Sequence, residues 1–204
     1  MKNYFKILSL TIALIMIFTG VSIFTASAED TYTQPEKFIY GDVDLDGQVT
    51  VKDATLIQKG LAKITYVNAV QRFLADPEGT GYSVKNATAI QKYLAKYETS
   101  IPWETEIPMT SENEFSGDVS ANSDFKTDEI TVRIKDNDGY IYTVKDFSEY
   151  NFSKVIKWEY DDNTYSLYLE ESGKENVIEA LKALDYRANI DLAFVSPNFI
   201  SYQD

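Results

Sequence analysis

An α+β chain in two parts is predicted. Its N-terminal part is helical and built from two loop–helix repeats, and its C-terminal part is one antiparallel sheet packed with one or two helices. Three observations predict this. Residues 54–63 (ATLIQKGLAK) return as 87–96 (ATAIQKYLAK), differing only at Leu56/Ala89 and Gly60/Tyr93, and Val51-Lys52 returns as Val84-Lys85, all at an offset of 33. Apolar residues in both copies fall at helical spacing: Ile57, Leu61 and Ile64, then Ile90, Leu94 and Tyr97. Beyond residue 127 the apolar period changes to two, with turn residues between short runs. Self-similarity of the first kind marks two copies of one supersecondary unit.

In chain order, Lys2 and Lys6 precede an apolar run from Ile7 to Phe24, and Ala26-Ser27-Ala28 supplies small residues ahead of Glu29 and Asp30. That is the layout of a secretory signal peptide over residues 1–28. No later stretch is apolar enough to cross a membrane, so none is expected to hold the chain there after cleavage. The first repeat follows. Its loop reads Asp42-Val-Asp44-Leu-Asp46-Gly47-Gln48-Val49-Thr50-Val51-Lys52-Asp53. This is the D-x-D-x-D-G-x5-acid, EF-hand-like form of a calcium loop leading into a helix. Calcium takes six to eight hard oxygen ligands. Asp42, Asp44 and Asp46 can wrap one side of it, Gly47 permits the sharp turn, Gln48 offers its carbonyl, and Asp53 closes the shell. Such a crowded carboxylate cage leaves little room for the waters that magnesium retains, which favours calcium.

A short connecting helix is expected within Ile64–Leu74, with Val67, Val70 and Leu74 on one side. The second loop, Asp76 to Asn86, aligns with the first only if one residue is deleted near Tyr82. Asp76 and Glu78 keep ligand positions, whereas Thr80 and Asn86 stand at the fifth and closing places. With fewer carboxylates and a shorter span, this loop should bind an ion weakly or fold by its own packing. Phe38 and Tyr40 before the first loop, and Pro102 and Trp103 after the last helix, are placed to clasp the two ends.

These paired loop–helix repeats, with Gly-Asp-Val-Asp-Leu-Asp-Gly opening the first and Ala-Thr-x-Ile-Gln-Lys-x-Leu-Ala in both, make residues 38–98 resemble a type I-like dockerin. The resemblance implies a non-catalytic module that calcium folds. It also implies binding to a cohesin module of a scaffold protein, within a cell-surface or extracellular cellulosome-type complex that degrades plant polysaccharides. Carried over, the cohesin contacts would be Val51, Lys52, Ala54, Thr55, Gln58 and Lys59, with Val84, Lys85, Ala87, Thr88, Gln91 and Lys92 as their second-copy counterparts. Near-identity of the copies would allow two docking orientations related by a two-fold.

From residue 99 to 127 the composition turns to Ser, Thr, Glu, Asn, Pro and Gly, which reads as an extended linker. Residues 128–204 then form a small α+β domain. Ile130, Val132 and Ile134 alternate as a strand, Asp136 to Gly139 supply a turn, and Tyr140–Val144 reads as the return strand. A helical turn is expected within Asp146–Phe152. A strand at Val155–Tyr160 would put Ile156, Trp158 and Tyr160 inward. After Asp161-Asp-Asn163, another strand would bury Tyr165, Leu167 and Leu169. Gly173–Arg187 is amphipathic, with Val177, Ile178, Leu181 and Leu184 as its stripe, and Ile190–Val195 is the last strand. This order, ending in Pro197-Asn198-Phe199, resembles the prodomains of subtilisin-like proteases and their stand-alone inhibitor relatives. The resemblance implies a ferredoxin-like arrangement whose sheet sits on a protease. The tail Phe199, Ile200, Ser201, Tyr202, Gln203 and Asp204 would enter the protease cleft.

Composition narrows the chemistry. The net charge is −13, which repels nucleic acid and anionic lipid. There is no Cys and no His. Disulfides, Ser-His-Asp and Cys-His catalysis and ordinary zinc sites are therefore closed. An exported chain without Cys is ordinary among bacteria. Carboxylate-only catalysis and hard-cation binding stay open. A small glycosidase is one alternative, but no acidic pair stands out for it. A carbohydrate-binding accessory protein using Trp158, Tyr160 and Tyr168 as stacking platforms is the other.

Overall fold

A computed structural model of the chain describes residues 37–97, 101–107, 115–117, 119–135 and 139–200. The expected signal peptide and the tail residues Ser201 to Asp204 lie outside them. Among the described residues there are four α-helices and two antiparallel sheets, an α+β architecture within one compact unit. No described helix is long and apolar enough to cross a membrane.

Helix α1 (Val51–Leu61) and helix α3 (Val84–Leu94) are the two repeat helices, with α2 (Ala69–Ala75) between them. Ala54, Ile57, Ala87 and Ile90 are fully buried and belong to one apolar cluster with Val43, Val49 and Trp103. Leu61, Ile64 and Tyr97, expected to extend the apolar stripes, are exposed instead. Leu61 is the last residue of α1, and both helices end before Ile64 and Tyr97. At both ends the backbone turns left-handed, at Lys63 (φ 57°) and Lys96 (φ 60°). The N–H of Ile64 reaches the Lys59 carbonyl at 2.9 Å and that of Tyr97 the Lys92 carbonyl at 3.0 Å. This is the same Schellman closure in each copy, so the sequence repeat is also a structural one.

The ends of the repeat pair meet. Strand β1 (Phe38–Ile39) pairs antiparallel with β2 (Glu106–Ile107), a short ladder added to an otherwise helical half. Trp103 is buried, and a Cβ on Gly41 would lie 2.8 Å from its ring. Within the expected linker, Ile107 is buried and the Ser116 hydroxyl donates to Asp185 at 2.8 Å.

The second sheet runs β4-β5-β3-β6, with β3 Phe125–Ile134, β4 Phe152–Lys157, β5 Thr164–Leu169 and β6 Leu192–Phe199. Helix α4 (Lys174–Leu184) covers one face through Val177, Ala180, Leu181 and Leu184. Ile130, Val132, Ile134, Tyr165, Leu167 and Leu169 fill the core as expected.

Other expectations differ from the structure, among them the helical turn placed within Asp146–Phe152. Tyr140–Val144 forms no strand, and a 3₁₀ turn follows at Val144–Asp146. Strand β3 is already paired on both edges, by β5 and β6, so no edge is left for a hairpin return. Trp158 and Tyr160 are not in the core, being 46% and 94% exposed. The pairing of β4 with β5 shifts between Phe152 and Lys154, and beyond the shift Val155 lies opposite the buried Leu167 while Ile156 lies opposite Ser166. A one-residue slip reverses the faces of a strand, and here it puts half-buried Ile156 and exposed Trp158 on the Ser166 side of the sheet, away from the core under α4.

The C-terminal half packs directly against the repeats. Phe38 stacks on Tyr186 with ring centroids 5.5 Å apart, and Val70, Leu74, Ile107 and Ile190 complete that cluster. The buried Asp146 carboxylate accepts the Ala69 N–H at 2.9 Å, the Tyr140 hydroxyl at 2.9 Å, and the Thr143 N–H and hydroxyl at 2.8 and 3.0 Å. It thereby satisfies the first turn of α2 from 77 residues away. Arg72 of α2 lies over the Tyr82 and Tyr140 rings at 4.4 and 4.2 Å. In the interior, Arg187 is fully buried and pairs with Asp191 and Glu149.

Candidate metal centre and helix face

The first loop builds its geometry from its own main chain. Asp42 accepts the Asp46 N–H at 3.0 Å on Oδ1 and the Gly47 N–H at 2.9 Å on Oδ2. Asp44 accepts the same Asp46 N–H at 3.2 Å, and Asp46 accepts the Gln48 N–H at 3.1 Å. Left-handed residues Leu45 (φ 64°) and Gly47 (φ 85°) supply the bend. Glycine adopts that conformation freely, whereas Leu45 does so at a cost of about 1–2 kcal/mol. As a result, one carboxylate oxygen from each of Asp42, Asp44 and Asp46 lies within 4.8 Å of the others.

Asp53 stands behind this group. Its Oδ1 accepts from Val43 N–H at 2.7 Å and Asp44 N–H at 3.0 Å, and its Oδ2 accepts from Thr50 N–H at 2.7 Å. With Thr50 accepting the Lys52 N–H at 3.2 Å, Asp53 forms the N-terminal cap of α1 and ties the acid loop to the helix. Gln71, from α2, donates to the Val43 carbonyl at 2.9 Å. The Asn68-x-x-Gln71 capping pattern was present in the sequence, but its reach to the loop was not.

Burial, reinforced by the nearby charges of Asp53 and Asp44, pushes the Asp42 carboxyl up to about 6 against the pull of the Gly47 hydrogen bond. Burial and the Asp53 charge raise Asp44 as well. The Lys52 ammonium, 2.8 Å from Asp46, holds that carboxyl down. Three converging carboxylates, two of them held from ionising chiefly by burial and then by neighbouring acids, fit a hard divalent cation in donor type and charge. Asp42, Asp44 and Asp46 would hold it, with the Gln48 carbonyl and Asp53 as the further oxygens the loop spacing offers.

The second loop is different. Asp76 accepts the Gly81 N–H at 2.6 Å, the Thr80 hydroxyl at 3.2 Å and the Asn86 amide at 3.1 Å. Among the described residues, neither Asp76 nor Glu78 belongs to a metal-holding group of acids. This loop also walls a cleft of about 410 Å³ against the C-terminal half, with Tyr40, Phe73 and Tyr142 among its lining.

Of the twelve residues placed on the docking face, ten are exposed: Val51, Lys52, Thr55, Gln58 and Lys59, then Val84, Lys85, Thr88, Gln91 and Lys92. Val51 is 66% and Val84 60% exposed. Ala54 and Ala87 are fully buried in the core and cannot touch a partner. In the tail, Phe199 pairs with Phe125, and the Ile200 N–H donates to the Asp124 carbonyl at 3.2 Å, so the edge of the sheet holds both. No protein family model, no curated protein and no solved structure matches this chain.

Proposed function

We propose that the chain is an exported, non-catalytic docking component of an extracellular complex that degrades plant polysaccharides. Its 38–98 segment acts as a dockerin-like module that binds calcium and docks to a scaffold cohesin. The observation that carries this reading is the group formed by Asp42, Asp44 and Asp46 at the head of α1, tied to that helix through Asp53. A cation there would fix the loop, and the loop fixes the helix that presents Val51, Lys52, Thr55, Gln58 and Lys59. Pull-down of the 29–204 chain on immobilised cohesin modules tests it. Capture in calcium that is lost in chelator is expected, and calcium-indifferent failure to bind any cohesin would refute it.

The cargo in this reading is a prodomain- or inhibitor-like domain. The antiparallel order β4-β5-β3-β6, with α4 joining β5 to β6, is the order of a split βαβ, ferredoxin-like sheet and supports that assignment. Inhibition of subtilisin by the chain, abolished by removing Phe199 to Asp204, is the expected result. A second reading has its own observation. Trp158 and Tyr160 are exposed, and the Trp158 indole N–H is anchored on the Ser166 hydroxyl at 3.0 Å. A fixed, open indole suits a sugar face, so retarded migration in polysaccharide gels, lost in Trp158→Ala, would favour a carbohydrate-binding cargo.

A further inference from the structure

We propose that the second repeat loop is closed by the Asn86 carboxamide in place of a cation, so that the chain takes up one calcium ion and keeps α3 folded without any. The inference rests on the calcium reading of the first loop only for its count of ions. Its own basis is a position-by-position difference between the loops. Both open with an acid that accepts the N–H of the glycine five residues on, Gly47 to Asp42 at 2.9 Å and Gly81 to Asp76 at 2.6 Å. The turn is thus the same, and what faces it is not.

In the first loop the fifth and closing places hold Asp46 and Asp53, both acceptors. In the second they hold Thr80 and Asn86, and both donate to Asp76 Oδ1, at 3.2 and 3.1 Å. The positive ends of a hydroxyl and an amide therefore stand where a cation would need lone pairs. Asn86 serves a second purpose with its other atom, since its Oδ1 accepts the Ser83 N–H at 2.6 Å and caps α3. Asp53 caps α1 in the same way, but a carboxylate has no hydrogen to offer Asp42. One amide thus does both jobs, capping the helix and answering the loop's first acid. The donor set does not fit calcium, because the neutral closing residue turns an N–H toward the half-buried Asp76 and gives its oxygen to the Ser83 N–H.

Calorimetric titration of the 29–204 chain with calcium, into the millimolar range, is the test, paired with thermal unfolding of the chain and of Asn86→Asp in chelator. A stoichiometry near one is expected. In chelator, Asn86→Asp should melt roughly 4–8 °C lower, since the lost donor leaves two carboxylates face to face. Amides of α3 should also stay protected from exchange in chelator while those of α1 lose protection. Two ions per chain, or an unchanged melting temperature in Asn86→Asp, would overturn the proposal. Uptake of no ion would sink the first-loop reading alone, and the Asn86→Asp melt would still decide this one.

Discussion

Removing the Asp146 carboxylate should loosen the repeat half from a distance. In Asp146→Ala the N–H groups of Ala69 and Thr143 lose their acceptor, while the hydroxyls of Tyr140 and Thr143 lose one partner and keep the Tyr66 hydroxyl at 3.0 and 3.1 Å. Hydrogen bonds to a charged acceptor contribute roughly 1.5–3 kcal/mol each, and they do not add when they share one group. Part of each loss is recovered wherever water reaches the orphaned donors. A net destabilisation of about 3–5 kcal/mol follows, with about half of it in Asp146→Asn, which keeps one accepting oxygen. The two tryptophans make the effect readable by half, because Trp103 belongs to the repeat cluster and Trp158 to the sheet. In a Trp158→Phe background, urea unfolding followed by Trp103 emission should shift to lower midpoint when Asp146 is replaced. A Trp103 transition that stays within about 1 kcal/mol of the parent, while the sheet unfolds earlier, would show that the halves are energetically independent and refute the reasoning.

Further expectations are simpler. Asp42 has a folded-state pKa of about 6, above the ordinary 3.8, so its ionisation opposes folding of the ion-free chain: the cost is absent below the unfolded value and complete above about 6. On the proposed calcium reading the ion needs the Asp42 carboxylate, so affinity measured by calorimetry should fall as pH drops through about 6, approaching about tenfold per pH unit. Gly60→Ala should destabilise by about 2 kcal/mol or more in chemical denaturation, because the new Cβ would stand 2.5 Å from Val67 and 2.6 Å from the Tyr82 hydroxyl. Lys63→Gly and Lys96→Gly should each stabilise by roughly 0.5–1 kcal/mol, since both positions are left-handed closures of a helix.

Local signals carried well from sequence to structure, and non-local ones did not. The repeat helices and the amphipathic Lys174–Leu184 follow from neighbours within a turn of helix, where periodicity acts. The convergence of Asp42, Asp44 and Asp46 was legible for the same reason, because the contacts that shape it lie within six residues. Trp158 was misplaced because its face depends on a shift in pairing two residues into β4, which alternation cannot reveal. Tyr140–Val144 keeps part of the alternation, with Tyr142 buried and Ile141 exposed, yet it joins no strand ladder because β3 has both its neighbours from elsewhere in the chain. The divergence at Gly60/Tyr93 was visible without its cause, which is Tyr82 arriving from the second loop to donate to the Ile57 carbonyl at 3.1 Å.

If the chain docks as proposed, the stack of Phe38 on Tyr186, with Val70, Leu74 and Ile190 around it, has a mechanical meaning. A cargo on a flexible leash explores a volume set by tether length, and its orientation is free. Here tension on the docked helices would pass through a packed apolar seam and the Asp146 cap, so the cargo would be presented at a set angle to the scaffold. Cutting between the halves would also strip that seam bare. Each piece alone would then expose aromatic surface that invites self-association.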